Sequence, residues 1–300
     1  METWVWITIF AALAQTVRFM LQKHLKDTKL STAGATFARF VFSAPLVLVI
    51  ALVYAQSTDQ LLPDVGAPFF AFSVIGGLSQ ILATMCVVAL FSHRNFAVGI
   101  TFKKTEVLLS AIVGIVVLGD FITWFSFLAI LLGFAGVLLL SDPPEATGSF
   151  TSRILNKGAG LGLLSGLLFG FSGVSYRGAS LSIADGDVFY RAIFTLAFVT
   201  AFQVGIMAVW LIWRERGEIT RVFLSWRVAS MVGLSSMAGS ICWFVAFTMQ
   251  TAALVNAVGQ IELIFSLAAS ALFFREKISK RELQGVALLT FSILGLILLT

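Results

Sequence analysis

Ten long apolar runs constrain the fold of this chain more than any motif does. They lie at residues 4–21, 32–54, 67–91, 96–118, 121–140, 158–177, 187–213, 228–250, 252–274 and 282–299. A helix needs roughly 20 apolar residues to cross a bilayer core. The runs are too long for barrel strands and lack their strict alternation. The sequence therefore predicts an all-α membrane protein with ten transmembrane helices.

The composition excludes a soluble protein. Hydrophobic residues make up 59% of the chain and charged residues 12%, whereas soluble domains are about 45–50% apolar and about 25% charged. The net charge of +5 comes from basic residues in short connections between apolar runs. That placement indicates membrane topology and not nucleic-acid binding.

The two halves of the chain are related by duplication. A gapless shift of 156 residues pairs Gly77 with Gly233, Cys86 with Cys242, Glu106 with Glu262 and Ser110 with Ser266. We therefore predict a five-helix repeat at residues 1–145, a linker at 146–157 and a second repeat at 158–300. Because five is odd, the second repeat enters the membrane upside down. Inverted repeats are typical of secondary transporters, whose substrate site lies at the repeat interface.

The loop charges predict the orientation. Fourteen Lys and Arg residues lie in the connections after helices 1, 3, 5, 7 and 9, and none in the other connections. Basic loops stay in the cytoplasm. We therefore expect a multi-pass protein of the cell (inner) membrane with both termini on the exoplasmic side.

The sequence resembles the drug/metabolite transporter superfamily, in particular its ten-helix members with two EamA domains. The resemblance rests on the duplication, on an Arg in the second helix of each half and on the turn after each fourth helix. These residues are Arg39 and Arg191, Gly119-Asp120-x-Ile122-Thr123 and Arg275-Glu276-x-Ile278-Ser279. The resemblance implies a basket of helices around a central cavity, alternating access and no ATPase domain. Where the family's fourth helix commonly has a Pro, this chain has Glu106 and Glu262.

Six basic residues lie within or at the edge of the predicted spans: Arg18, Arg39, Lys103, Lys104, Arg177 and Arg191. Charges at depth are costly and usually face a cavity or a partner, so they are functional candidates. Arg18 and Arg177 lie near helix ends, where long side chains can reach the interface. Two interpretations stay open for Arg39 and Arg191, either substrate contact or pairing with a Glu or a backbone carbonyl.

The glutamates of the two repeats have different neighbours in sequence. Lys103 lies one turn before Glu106 and predicts an intrahelical ion pair. Lys104 corresponds to the neutral Gln260, so we expect a cavity wall with asymmetric charge. Since Glu262 has no adjacent cation in sequence, burial is expected to raise its pKa and make it a candidate for proton coupling.

The predicted substrate-binding residues are Arg39, Arg191, Lys103, Lys104, Glu106, Glu262, Gln260 and Trp243. Trp243 joins them because it lies deep in helix 8, where it can stack on a substrate. Glycines 158, 162, 166 and 170 predict a close-packing helix face. No nucleophile motif, metal cluster or nucleotide-binding loop is found, so we expect neither an enzyme nor a cofactor.

These features predict a secondary transporter for a small metabolite, in a lipid membrane, as a monomer or homodimer. Six basic against two acidic membrane residues favour an anionic or zwitterionic substrate such as an amino acid or organic acid. The alternatives are a multidrug exporter that takes cations through the glutamates, and a lipid-linked flippase.

Overall fold

A computed structural model describes residues 2–28, 30–60, 62–90, 102–141, 157–265 and 280–299. The expected connection at 92–95, the linker before Lys157, Ser266 and the motif at 275–279 lie outside the described residues. The helices are α1 Thr3–Thr28, α2 Thr32–Val41, α3 Ala44–Ser57, α4 Ala67–Leu90, α5 Glu106–Leu118, α6 Trp124–Ser141, α7 Lys157–Leu181, α8 Val188–Arg214, α9 Glu218–Leu224, α10 Trp226–Met249, α11 Ala252–Gly259 and α12 Lys280–Leu299.

The helices are long and apolar, as the sequence predicts. Six helical segments are long enough and apolar enough to cross a membrane: Thr3–Lys26, Thr32–Ser57, Ala67–Leu90, Lys157–Leu181, Val188–Arg214 and Trp226–Met249. Four shorter apolar helices join them: Glu106–Leu118, Trp124–Leu139, Ala252–Phe265 and Leu283–Leu298. The described residues contain no strand. The chain is therefore an all-helical, multi-span membrane protein.

Helices from the two halves pack against each other in matching pairs. The most extensive contacts join α4 to α7, α6 to α12 and α1 to α10. A shift of 156 residues carries α1 onto α7 and α4 onto α10, so the pair α1–α10 is the sequence equivalent of α7–α4. The first and second halves are thus interleaved, with α8 against α2, α3 and α4.

Glycines allow these close approaches. A Cβ on Gly77 would lie 3.0 Å from the ring of Phe202 in the second half, and one on its equivalent Gly233 would fall against the backbone of Phe42 in the first half. On α7, a Cβ on Gly166 would lie 2.8 Å from the carbonyl oxygen of Lys103. Small residues at such positions let helices pack in contact with backbone.

The second span is interrupted one turn after Arg39. Pro45 stands in the first turn of α3 and has no N–H to donate to the carbonyl of Val41, four residues earlier. The N–H of Ser43 donates to the carbonyl of Phe40, three residues earlier, at 3.2 Å. The carbonyl of Arg39, which that N–H would bond in a regular helix, accepts from the Ser43 hydroxyl at 2.8 Å. The interruption places Arg39 at the end of α2, deep within the span.

Two further helices tighten at equivalent positions. The N–H of Thr105 donates to the carbonyl of Phe102, and the N–H of Ile261 to that of Val258. A spacing of three residues is that of a 3₁₀ turn, and Thr105 and Ile261 are 156 residues apart. Each turn is followed by a carboxylate, Glu106 or Glu262, at the start of the next helical segment, where the helix dipole favours negative charge.

The glycine at position 166 is expected to be needed for folding. Gly166→Ala should lower the free energy of unfolding by about 1–3 kcal/mol, the usual cost of overpacking, because its methyl group would meet Lys103 and Thr105. Thermal unfolding in detergent measures this. The control is Gly160→Ala on the same helix, where nothing lies within 4 Å of the added Cβ. Equal melting temperatures for the two variants would contradict the packing described here.

Candidate functional site

A polar cavity lies between the two halves of the protein. The first half contributes Gln15, Arg39, Gln80, Lys103 and Glu106, and the second Phe169, Ser172, Gly173, Tyr176, Ser240, Trp243, Phe244, Phe247 and Asn256. Its volume is about 40 Å³, and one water molecule needs roughly 10–15 Å³ in this measure. The cavity as described therefore holds a few waters, and a larger molecule requires the helices to move apart.

Arg39 is buried and is held in place by hydroxyl groups. Its Nε donates to Ser236 Oγ at 2.9 Å and its Nη1 to Thr84 Oγ1 at 3.0 Å. A guanidinium has five N–H donors, so three remain for other partners. Among the described residues no carboxylate pairs with Arg39. The two hydroxyls orient the guanidinium without neutralising it.

A hydrogen-bonded cluster fixes the wall beside Arg39. The hydroxyl of Tyr176, on α7, donates to the carbonyl of Gly76 on α4 at 3.1 Å. The amide of Gln203, on α8, reaches the carbonyl of Gly77 at 3.1 Å and Gln80 Oε1 at 2.9 Å. Three helices are thereby joined around buried amide and phenol groups, which are costly to leave unpaired in an apolar surrounding.

The predicted ion pair between Lys103 and Glu106 is confirmed. Lys103 Nζ lies 2.9 Å from Glu106 Oε2, and both residues line the cavity. The ammonium also lies 5.1 Å from the centre of the Phe169 ring, a cation–π distance. Lys103 is therefore held by a carboxylate and an aromatic face at the cavity wall.

The expectation that Glu262 lacks a cation is wrong. Lys104, only 1% exposed, forms an ion pair with Glu262 across the two halves. Gln15 Nε2 also donates to Glu262 Oε2 at 2.9 Å. A contact between residues 158 positions apart leaves no trace in sequence spacing. Because Glu262 has a neighbouring cation, the proposed basis for proton exchange at this residue is lost.

Lys104 and Gln260 lie outside the main cavity. Both line a second, smaller void of about 10 Å³ between α5, α6, α11 and α12. The amide of Gln260 donates to the carbonyl of Asn256 at 3.2 Å, and Asn256 itself lines the main cavity. Glu262 thus lies between Gln15 of the main cavity and Lys104 of the second void.

The remaining basic residues lie elsewhere. The expectation that Arg18 reaches the interface is wrong, because Arg18 is 2% exposed and its Nη2 lies 3.4 Å from Gln15 Oε1. Arg177 Nε donates to Asp120 at 3.2 Å and its Nη1 to the carbonyl of Phe247 at 2.9 Å. Arg191 is half-buried in the first turn of α8 and does not line the cavity.

Aromatic rings form the rest of the cavity wall. Trp243 stacks on Phe247 with ring centres 5.6 Å apart, and Tyr176 on Phe244 with centres 4.2 Å apart. Trp243 and Phe247 both line the cavity, and the role of Trp243 in substrate binding stays a prediction. The site combines cationic side chains with a broad apolar surface.

Several cavity residues were missed by sequence reasoning. They are the uncharged polar residues Gln15, Gln80, Ser172, Tyr176, Ser240 and Asn256. Gln15, Gln80 and Asn256 carry a usable signal, because an amide within an apolar span is costly unless it faces a partner or a cavity. The serines carry none, since a helical Ser can bond its own backbone.

The helices and the charged interior define a membrane protein that encloses a polar cavity. The sequence matches the model of the EamA-like transporter family over residues 2–142 and again over 156–298. The chain belongs to the EamA-like transporter family, and it is a membrane transporter of small molecules.

The comparison with solved structures supports the fold. One crystal structure superposes with a TM-score of 0.73 at 12% sequence identity, covering 99% of this chain and 97% of that chain. At this identity the likeness shows the fold alone. No curated protein matches the sequence.

The Lys104–Glu262 pair is expected to be coupled in stability. Lys104→Met alone and Glu262→Gln alone should each lower the free energy of unfolding by about 3–5 kcal/mol. Each change leaves the charge of the other residue buried without a counter-charge. The double variant should recover most of this loss. A double-mutant cycle on thermal unfolding measures the coupling, with Arg216→Met as an exposed control. Additive effects of the two single changes would contradict a direct pair.

Proposed function

We propose that this transporter is a secondary active carrier that moves a small anionic or zwitterionic metabolite by alternating access. An amino acid or an organic acid fits the site best. The observation that carries the proposal is Arg39, a buried cation at the cavity between the halves, held by two hydroxyls. Buried charges in proteins are usually paired, and a guanidinium binds carboxylate or phosphate through two parallel hydrogen bonds. A substrate anion would supply the missing counter-charge.

The charge balance around the cavity supports an anionic substrate. Four basic side chains are buried in the protein, Arg18, Arg39, Lys103 and Lys104, against the two carboxylates of Glu106 and Glu262. Arg39, Lys103 and Glu106 line the cavity itself. A third buried carboxylate, Glu218, lies on α9 and binds Arg221 at 3.1 Å. The excess of positive charge attracts anions into a low-dielectric site.

The same residues disfavour the cation exporter. Such a carrier needs a carboxylate available to the drug, and Glu106 and Glu262 are each paired with a lysine. A flippase needs a polar path that opens sideways to lipid between two helices. The polar residues described above face inward, between helices of opposite halves, and therefore favour a metabolite carrier.

We further propose ten spans arranged as inverted repeats at 1–145 and 158–300, joined by the linker 146–157. The two family matches and the equivalent helix pairs α1–α10 and α7–α4 support this arrangement. The distribution of loop charges supports exoplasmic termini in the inner membrane.

The geometry of Arg39 is expected to matter beyond its charge. Arg39→Lys keeps the charge and loses the planar fork. Loss of one charge-assisted hydrogen bond should weaken apparent substrate affinity about tenfold to hundredfold. Uptake of labelled amino acids, dicarboxylates and organic cations into proteoliposomes measures this. Arg221→Lys, whose side chain is 65% exposed on α9, is the control and should transport normally.

Two results would overturn the proposal. One is wild-type transport of the organic cations in preference to every anionic or zwitterionic compound. The other is full activity of both Arg39→Lys and Arg39→Ala on an anionic substrate.

A further inference from the structure

Trp243 rests against a residue that has no side chain. The outer edge of its indole ring approaches the backbone of Gly259, the last residue of α11. A Cβ built on Gly259 would lie 2.5 Å from Cη2 of Trp243 and 3.3 Å from its Cζ3. Real Cβ atoms do not occur at the first distance, so the indole lies where it does because position 259 is a glycine.

The rest of the indole surroundings leaves few directions for movement. One face of Trp243 stacks on Phe247 at an interplanar angle of 22°. Trp243 shares a face of α10 with Ser240, Phe244 and Phe247, since residues three and four positions apart in this set lie together on a helix. All four line the cavity. A side chain at position 259 would therefore displace the indole within the aromatic wall and change the shape of the cavity.

We propose that Gly259 is a specificity-determining residue of the transporter. By leaving room for the indole of Trp243, it sets the space available to the apolar part of the substrate, while Arg39 and Lys103 face its charged group. The inference rests on the proposed function and deepens it. It predicts that the substrate is a carboxylate with an apolar group, and that the residue at position 259 limits the size of that group.

The consequence for selectivity follows from packing. Core and pocket atoms are packed closely, so a shift of one methyl group is felt. A pocket that is one methylene too small discriminates by about 10–200-fold. Gly259→Ala is expected to discriminate against bulky groups and to leave small ones nearly unaffected. A glycine with only a packing role would affect all sizes alike.

The test measures cavity size without the need for a known substrate. Ser240→Cys, with Cys86 and Cys242 changed to Ala, is labelled with methyl and with benzyl methanethiosulfonate. Gly259→Ala should slow the benzyl reaction about tenfold or more and leave the methyl reaction within about twofold. Adding Trp243→Phe, which removes the outer indole atoms, should restore the benzyl rate. Gly205→Ala on α8 is the matched control, because nothing lies within 4 Å of its added Cβ.

Uptake in proteoliposomes complements the labelling. Among labelled L-alanine, L-leucine and L-phenylalanine, Gly259→Ala should raise KM most for the largest transported compound. If Gly259→Ala does not fold, the test uses Trp243→Phe alone. This variant should raise the rate of benzyl labelling by a larger factor than the rate of methyl labelling. Equal slowing of both reagents, or no recovery in the double variant, would overturn the role of Gly259. Size-dependent labelling without transport of any anionic or zwitterionic compound would overturn the proposed substrate and retain the role of Gly259.

Discussion

The structure depends on how it accommodates basic side chains inside an apolar helical bundle. Three basic side chains are at most 4% exposed: Arg39, Lys103 and Lys104. They lie inside a protein that is surrounded by the hydrocarbon of the bilayer. Charge at that depth is stable where it finds a partner. Lys103 is paired with Glu106, three residues along the chain, and Lys104 with Glu262 across the two halves. Arg39 is left with hydroxyls, which makes it the side chain with which the proposed substrate anion would pair.

The backbone supplies the geometry for these pairs. Tight turns at Thr105 and Ile261 place Glu106 and Glu262 at the start of helical segments, and Pro45 interrupts the second span beside Arg39. Irregular backbone is tolerated in a membrane where it is buried in protein or lines a cavity. The same places in the chain therefore carry both the departures from regular helix and the charges.

The helices α7 and α10 both carry glycines at close helix contacts and side chains that line the cavity. Gly166 lets α7 approach the backbone that carries Lys103, and Gly233 lets α10 approach the interrupted second span. Both helices also supply the aromatic wall of the cavity through Tyr176 and Trp243. Movement of either helix would change the distance between the aromatic wall and the cationic side chains, and the proposed alternating access requires such a movement.

Much of this could be predicted from the sequence, and the limits have physical causes. Hydropathy places the helices because a bilayer demands about 20 apolar residues, and the Lys103–Glu106 pair follows from helical spacing. The Lys104–Glu262 contact could not be predicted, because it depends on how the halves dock. Arg191 matches Arg39 only at a shift of 152. The shift of 156 that relates the other helices carries Arg39 onto Thr195, so Arg191 lies one turn closer to the helix end and outside the cavity.

The central claim is that the cavity between the halves is the substrate site and opens to each side of the membrane in turn. Ser172, on α7, lines that cavity and is 2% exposed. The direct measurement is labelling of Ser172→Cys, without Cys86 and Cys242, by a membrane-impermeant thiol reagent in right-side-out and inside-out vesicles. The account predicts labelling from both sides, slowed by a saturating transported anion. Labelling from one side only, whatever the substrate, would contradict it.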